Sequence, residues 1–135
     1  MIRCFCGQPD QQGLSGLKIN REIVVHHTRA AVKNNKIYVL YRGEDRLGKG
    51  IGKRTSGIGL AESRDGIRMK RSPKPVLYPD EDAQKENEWP GGCEDPRIAV
   101  TEEGLYVMLY TQWNRKVFRL AVTTSKDLVN MMIAK

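Results

Sequence analysis

The chain has 135 residues, 39% of them hydrophobic, and its 23 Lys+Arg against 16 Asp+Glu give a formal net charge of +7. That length suits one domain with a modest core, and no apolar run approaches the roughly 18 residues of a membrane helix, so the chain is not expected to span a bilayer and no membrane partner is expected. The charge favours an anionic partner such as phosphate, but the basic residues are scattered and no helix-turn-helix, finger or RNP pattern accompanies them, which excludes a nucleic-acid module.

The opening Met1-Ile2-Arg3-Cys4-Phe5-Cys6-Gly7 lacks the apolar region of a secretory signal, so the expected location is cytoplasmic. Cys4, Cys6 and Cys93 are odd in number and include a C-x-C spacing, which predicts neither a disulfide framework nor a metal site. His26 and His27 are adjacent, and neighbouring side chains do not converge on one ligand, so they receive no catalytic or metal role. Ile37-Tyr38-Val39-Leu40-Tyr41-Arg42 is β-branched and aromatic and runs into Gly43-Glu44-Asp45, a buried strand entering a turn. Gly57 to Ser63 predicts the next strand, closed by an Asp65-Gly66 turn of the hairpin type. Pro75-Val76-Leu77-Tyr78-Pro79 reads as a short edge piece, because its prolines forbid a central ladder position.

Trp89-Pro90-Gly91-Gly92-Cys93-Glu94-Asp95-Pro96-Arg97-Ile98 then places an indole, two carboxylates and a guanidinium in one stretch stiffened by two prolines. Such a set suits sugar chemistry, although a structural turn with an Arg–Asp cap would use the same residues. In an extended segment Glu94 and Asp95 point to opposite faces, so they cannot flank one glycosidic bond together. Arg97 to Val100 continues as a strand to a Glu102-Glu103-Gly104 turn, Leu105 to Thr111 matches the strand at Ile37 to Tyr41, and Phe118 to Ser125 matches Ile58 to Ser63. With Tyr38 set against Tyr106 and Asp65 against Asp127, the repeat is loose, roughly 60 to 70 residues, longer than the roughly 40 to 50 of ordinary propeller blades. No long amphipathic helix is predicted. The fold class is therefore all-β, and a repeated four-strand meander that cannot close its own core argues for a β-propeller.

Lys36 to Asp45, Ile58 to Gly66, Pro75 to Pro79, Glu88 to Arg97 and Tyr110 to Val117 resemble, in order, five motifs of glycoside hydrolase family 130. The resemblance spans roughly Ala30 to Asp127 and implies part of a five-bladed β-propeller, about two blades, in a family consisting mainly of β-mannoside phosphorylases with some mannosidases. Gln112-Trp113-Asn114-Arg115-Lys116 is most similar to the 4-O-β-mannosyl-glucose phosphorylase branch. The implied reaction transfers a β-linked mannosyl unit to inorganic phosphate with inversion, giving α-mannose 1-phosphate and a free sugar such as glucose, with phosphate as co-substrate and no cofactor or metal. A catalytically inactive fragment and an inverting β-mannosidase of the same fold are the alternatives. By the resemblance Asp95 is the general acid, protonating the leaving oxygen through the 3-hydroxyl of the mannosyl unit. Glu94 then either holds a sugar hydroxyl or pairs with Arg97.

Phosphate is already an anionic nucleophile, so a phosphorylase needs positioning cations in place of a second carboxylate. Arginine supplies a planar fork that keeps its charge. Arg115 and Arg119 are the candidates for the phosphate side, with an outward strand charge as the other reading of Arg119; Arg42 and Asp45 are the candidates for the sugar side. Of Trp89 and Trp113, one is expected to stack on a sugar face, and Trp113 is the substrate-binding candidate. Residues 1–29 do not resemble the family's opening, where His27-Thr28-Arg29-Ala30-Ala31 stands in place of a Phe-Asn-Pro-Ala-Ala type sequence, and residues 129–135 replace an expected tryptophan-containing strand. The propeller portion is thus assigned to residues 30–128, both ends read as those of a fragment or frameshifted product, and open strand edges predict instability or aggregation. Full-length family members are expected to be homo-oligomers.

Overall fold

The computed structural model describes residues 26–45, 53–79 and 82–133. They form two antiparallel four-stranded meanders, the first comprising β1 (His26–Lys33), β2 (Lys36–Glu44), β3 (Ser56–Ser63) and β4 (Lys70–Arg71). A single turn of helix, α1 (Lys85–Glu88), leads to the second meander: β5 (Gly92–Val100), β6 (Tyr106–Trp113), β7 (Phe118–Ser125) and β8 (Met132–Ile133). One parallel bridge, Ser56 to Gly92, links β3 to β5 and makes the eight strands continuous. Gly92 has φ 120°, and a Cβ there would collide with the backbone of Ser56, so only glycine allows the two meanders to approach at this point.

The strands at β2, β3, β6 and β7 fall where β-branched and aromatic residues place them. β1 is not predicted, since His26–Lys33 offers no polar–apolar alternation; the Asn34-Asn35 pair at φ 49° and 57° closes it onto β2 as a two-residue hairpin turn. Pro75 to Pro79 does run along the edge of β3, with Val76 N–H donating to Ile58 O and Ile58 N–H to Leu77 O, both at 2.8 Å. Asp65-Gly66 is not a tight hairpin turn. It sits in a longer loop in which Asp65 Oδ1 accepts the N–H groups of Ile67 (2.9 Å) and Arg68 (2.8 Å), while Ser63 Oγ accepts that of Gly66 (2.9 Å) and donates to Asp65 Oδ1 (2.9 Å).

The same device returns after β7. Ser125 Oγ donates to Asp127 Oδ1 at 3.0 Å and accepts Leu128 N–H at 2.9 Å, and Asp127 Oδ1 accepts from Val129 (2.9 Å) and Asn130 (2.8 Å). Gly66 and Leu128 hold the same place, at φ 72° and 68°. The ladders sharpen the repeat: Ile37 faces Ser63 as Tyr106 faces Ser125, and Glu44 faces Ser56 as Trp113 faces Phe118. Tyr41 is therefore the counterpart of Tyr110, and the match of Tyr38 with Tyr106 is one residue out. A slip of one residue exchanges the faces of a strand, so the correction decides which side of each meander is equivalent.

Between the meanders lies one apolar cluster. Leu40, Ile58, Leu60 and Leu77 from the first half pack with Cys93, Tyr106, Met108, Tyr110 and Leu128 from the second. Burial of each large side chain contributes about 1.5–3 kcal/mol before entropy is counted. This packing holds β5, and the carboxylates it carries, against β2 and β3.

Candidate active site

At Asp95 the ladder between β5 and β6 shifts register, and Asp95 takes φ 51°. This bulge breaks the strict alternation that would send Glu94 and Asp95 to opposite faces. Both carboxylates reach one guanidinium: Arg42 Nη2 lies 2.7 Å from Glu94 Oε1 and Nη1 lies 3.6 Å from Asp95 Oδ1. The opposite-face expectation thus fails at the bulge. Glu94 pairs with Arg42 and not with Arg97, whose side chain is exposed on the next part of β5.

Arg42, on β2, is the hub. Its Nε donates to Ser56 Oγ at 3.2 Å, its Nη2 lies 3.0 Å from Glu44 Oε1, and Ser56 Oγ in turn donates to Glu94 Oε1 at 2.9 Å. Glu94 is 5% exposed, and burial raises its pKa above the usual carboxylate value while Arg42 and Ser56 pull it back and Asp95 and Glu44 push it further up. The cluster is therefore three carboxylates on one guanidinium, with one of them deeply placed.

Arg115 connects to the same network from the turn between β6 and β7. Its Nη2 donates to the carbonyl of Arg54 at 3.1 Å, and Arg54 Nη1 pairs with Glu44 Oε2 at 3.1 Å. Arg119 stands opposite Gln112 on β7 and is half-buried, whereas Phe118, Leu120 and Val122 are the exposed side chains of that strand. The outward-charge reading of Arg119 therefore fails. Arg115 Nε and Arg119 Nη1 are buried N–H groups with no hydrogen-bond acceptor among the described residues. Unsatisfied donors of this kind cost about 1–3 kcal/mol each, which an anion would recover.

The other candidates make contacts of their own beside this hub. Asp45 accepts Thr55 N–H at 2.8 Å and the Tyr78 hydroxyl at 3.0 Å, clamping the chain on either side of residues 46–54. Trp113 stacks on Phe118, with ring centroids 5.3 Å apart and 10° between planes. Trp89 caps α1 and is partly exposed, with the Trp89–Pro90 bond cis. Among the described residues no group of three or more His, Cys, Asp and Glu side chains could hold a metal ion.

Sequence reasoning missed the support around the acid loop. Glu88, 1% exposed, accepts from Tyr110 Oη at 2.8 Å and Gln112 Nε2 at 2.9 Å, and burial with this carboxylate nearby raises both the Tyr110 phenol and the Cys93 thiol. Glu88 opens the Glu88 to Arg97 motif and Glu44 lies in the Lys36 to Asp45 motif, so their positions carried a signal; Ser56 and Arg54 lie outside the five motifs and carried none.

Residues 23–134 match the family model described as β-1,4-mannooligosaccharide phosphorylase, glycoside hydrolase family 130. A 1,2-β-oligomannan phosphorylase of Thermoanaerobacter sp. (strain X514) is 34% identical over 111 residues, 78% of this chain and 35% of the relative. A solved glycosyl hydrolase from Bacteroides ovatus is 58% identical with TM-score 0.77, covering 82% of this chain and 31% of that one. A second solved structure, 57% identical with TM-score 0.78 over 83% of this chain and 31% of that one, is described with the statement that the mannoside phosphorylases of this family contain glycoside hydrolases targeting β-1,2 mannosidic linkages in Candida mannan. The chain thus spans about a third of the length of these relatives.

Proposed function

Because the chain belongs to glycoside hydrolase family 130, we propose that it carries the acid side of a site cleaving β-mannosides by phosphorolysis. The bond from the mannosyl anomeric carbon to the leaving oxygen breaks, a bond from that carbon to a phosphate oxygen forms on the opposite face, and Asp95 supplies the leaving oxygen with its proton through the 3-hydroxyl. The products are α-mannose 1-phosphate and a shortened sugar. Arg42 orients Asp95 and Glu94 together, Glu94 accepts from a sugar hydroxyl, and Asp45 and Trp113 border the sugar side. Arg115 and Arg119 take the phosphate.

The observation that carries this reading is the pair of buried arginine N–H groups left without acceptors on the hairpin that follows the acid strand. Both suit an oxyanion with several acceptor oxygens. The substrate linkage proposed is β-1,2, in place of 4-O-β-mannosyl-glucose, because that linkage is named for the matched phosphorylase and in the description of a structure 57% identical to this chain. That description also favours a second reading, inverting hydrolysis at the same acid. The two meanders are proposed as two blades of a five-bladed propeller, with β1 and β5 as neighbouring inner strands; the parallel bridge between meanders of identical order supports this arrangement.

Asp95→Asn tests the acid role. It keeps the side-chain size and removes the proton donor, so turnover of β-1,2-mannobiose should fall by about 100-fold or more while the urea midpoint stays close to that of the parent. A variant retaining most of the parent's turnover would remove Asp95 from the mechanism.

A further inference from the structure

The acid end of the site holds more carboxylates than cations to match them. Glu44, Glu94 and Asp95 share Arg42 and Arg54, so three negative charges meet two positive ones. The three differ in their access to water: the Glu94 side chain is 7% exposed, against 29% for Glu44 and 33% for Asp95. The carboxylate most cut off from water has the least support for its charged form, and that is Glu94. Around it, β2 presents Arg42 and Glu44, β5 presents Asp95 and the Cys93 thiol with Glu88 behind it, and Arg54 precedes β3. Ser56 of β3 and Thr111, the ladder partner on β6, carry no charge.

This end is joined to the arginine hairpin by an unbroken line of contacts. Arg115 donates to the Arg54 carbonyl, the Arg54 side chain pairs with Glu44, Glu44 pairs with Arg42, and Arg42 pairs with Glu94. A doubly charged oxyanion on the buried N–H groups of Arg115 and Arg119 would add negative charge with only Arg54, Glu44 and Arg42 between it and Glu94. Salt screens such partly buried charges far less than it screens exposed ones.

We propose that Glu94 takes up a proton from solvent when an oxyanion settles on Arg115 and Arg119, so that arrival of the nucleophile loads the acid side of the site. This rests on the phosphate role proposed above for the two arginines. Uptake removes one of the three negative charges and leaves Arg42 to Asp95 and Glu44. It also gives Glu94 an O–H that donates to a substrate hydroxyl beside an oxygen that accepts. By linkage, protonation of Glu94 tightens the oxyanion by the same factor.

Sulfate is the probe, because it stays a dianion through the range in which phosphate titrates. Calorimetric titration of the full chain should show sulfate affinity falling about five-fold or more between about pH 5 and about pH 8. Heats in two buffers of different ionisation enthalpy should report proton uptake on binding, a count that needs no variant. Glu94→Gln keeps the side-chain size and mimics the protonated form; with parent-like circular dichroism it should bind sulfate as the parent does at the lowest pH, without the fall or the uptake. The chain's two histidines, His26 and His27, titrate in the same range, and His26 is the ladder partner of Arg42, so the pair of substitutions His26→Asn and His27→Asn should leave the dependence intact. Sulfate binding without proton uptake, a fall that persists in Glu94→Gln, or one that disappears with the histidines overturns the proposal and leaves the phosphate site standing. Absence of sulfate binding at every pH, or binding that Arg115→Ala does not weaken, overturns the phosphate site and this proposal with it.

Discussion

Replacing Arg42 with leucine isolates the electrostatics on which the acid loop rests. Glu94, its side chain only 7% exposed, would lose the guanidinium 2.7 Å away and keep Ser56 as its hydrogen-bond donor, with Glu44 and Asp95 still nearby. Breaking a fully buried pair in this way costs about 3–5 kcal/mol; Arg42 is 20% exposed, so solvent recovers part of that and a loss of about 2–3 kcal/mol is expected near pH 7. For a domain with a urea m-value of about 1–3 kcal/mol/M, the unfolding midpoint should fall by about 0.7–3 M.

The pH dependence of this loss identifies its cause. Burial already raises the Glu94 pKa in the folded parent, and removing Arg42 raises it further. A raised carboxylate stabilises the fold below its unfolded value of 4.5 and loses that contribution as pH rises through the folded value. The deficit of Arg42→Leu should therefore be largest at pH 7 and shrink toward pH 4.5, and Glu94→Gln in the same chain should recover most of it at pH 7. A deficit below about 1 kcal/mol, or one equal at both pH values, would refute the buried-charge account.

Gly92→Ala should destabilise by more than about 3 kcal/mol, because its Cβ meets the Ser56 backbone at the bridge between meanders and φ 120° is unfavourable for alanine; an unfolding midpoint within error of the parent would contradict this. Asp65 is held at about pKa 2 by the Arg68 and Ile67 N–H groups, below the ordinary 3.8, so its contribution is present above 3.8 and is lost as pH falls through about 2. Asp65→Asn should accordingly be less stable than the parent at neutral pH, with the gap closing over that window; a gap independent of pH would point to something other than the carboxylate.

Sequence patterning located the long strands because Leu40, Ile58, Met108 and Tyr110 have no stable place except between the meanders. It missed β1, whose residues obey no polar–apolar alternation, and β8, which is two residues held by pairing with β7. The repeat was visible in Ser63-Arg64-Asp65 and Ser125-Lys126-Asp127, but its phase on β2 and β6 was not, since Tyr38-Val39-Leu40-Tyr41 and Tyr106-Val107-Met108-Leu109-Tyr110 align almost as well one residue apart. Only the ladders separate the two alignments. At the site, the residue types of Arg42, Glu94 and Asp95 were legible and their convergence was not, because it depends on a bulge with Asp95 at φ 51° that no local preference announces. Asp45 was legible as a motif residue, yet what it touches, Thr55 and Tyr78, is set by chain folding distant in sequence.

The phosphorolytic reading stands or falls on the fate of β-1,2-mannobiose incubated with the purified chain, with and without inorganic phosphate, at high protein concentration. Phosphorus NMR should detect α-mannose 1-phosphate accumulating in step with released mannose only where phosphate is present, and Arg119→Ala should raise the phosphate concentration needed for half-maximal rate. Release of mannose at equal rates in both mixtures, or no sugar phosphate at any protein concentration, would contradict it.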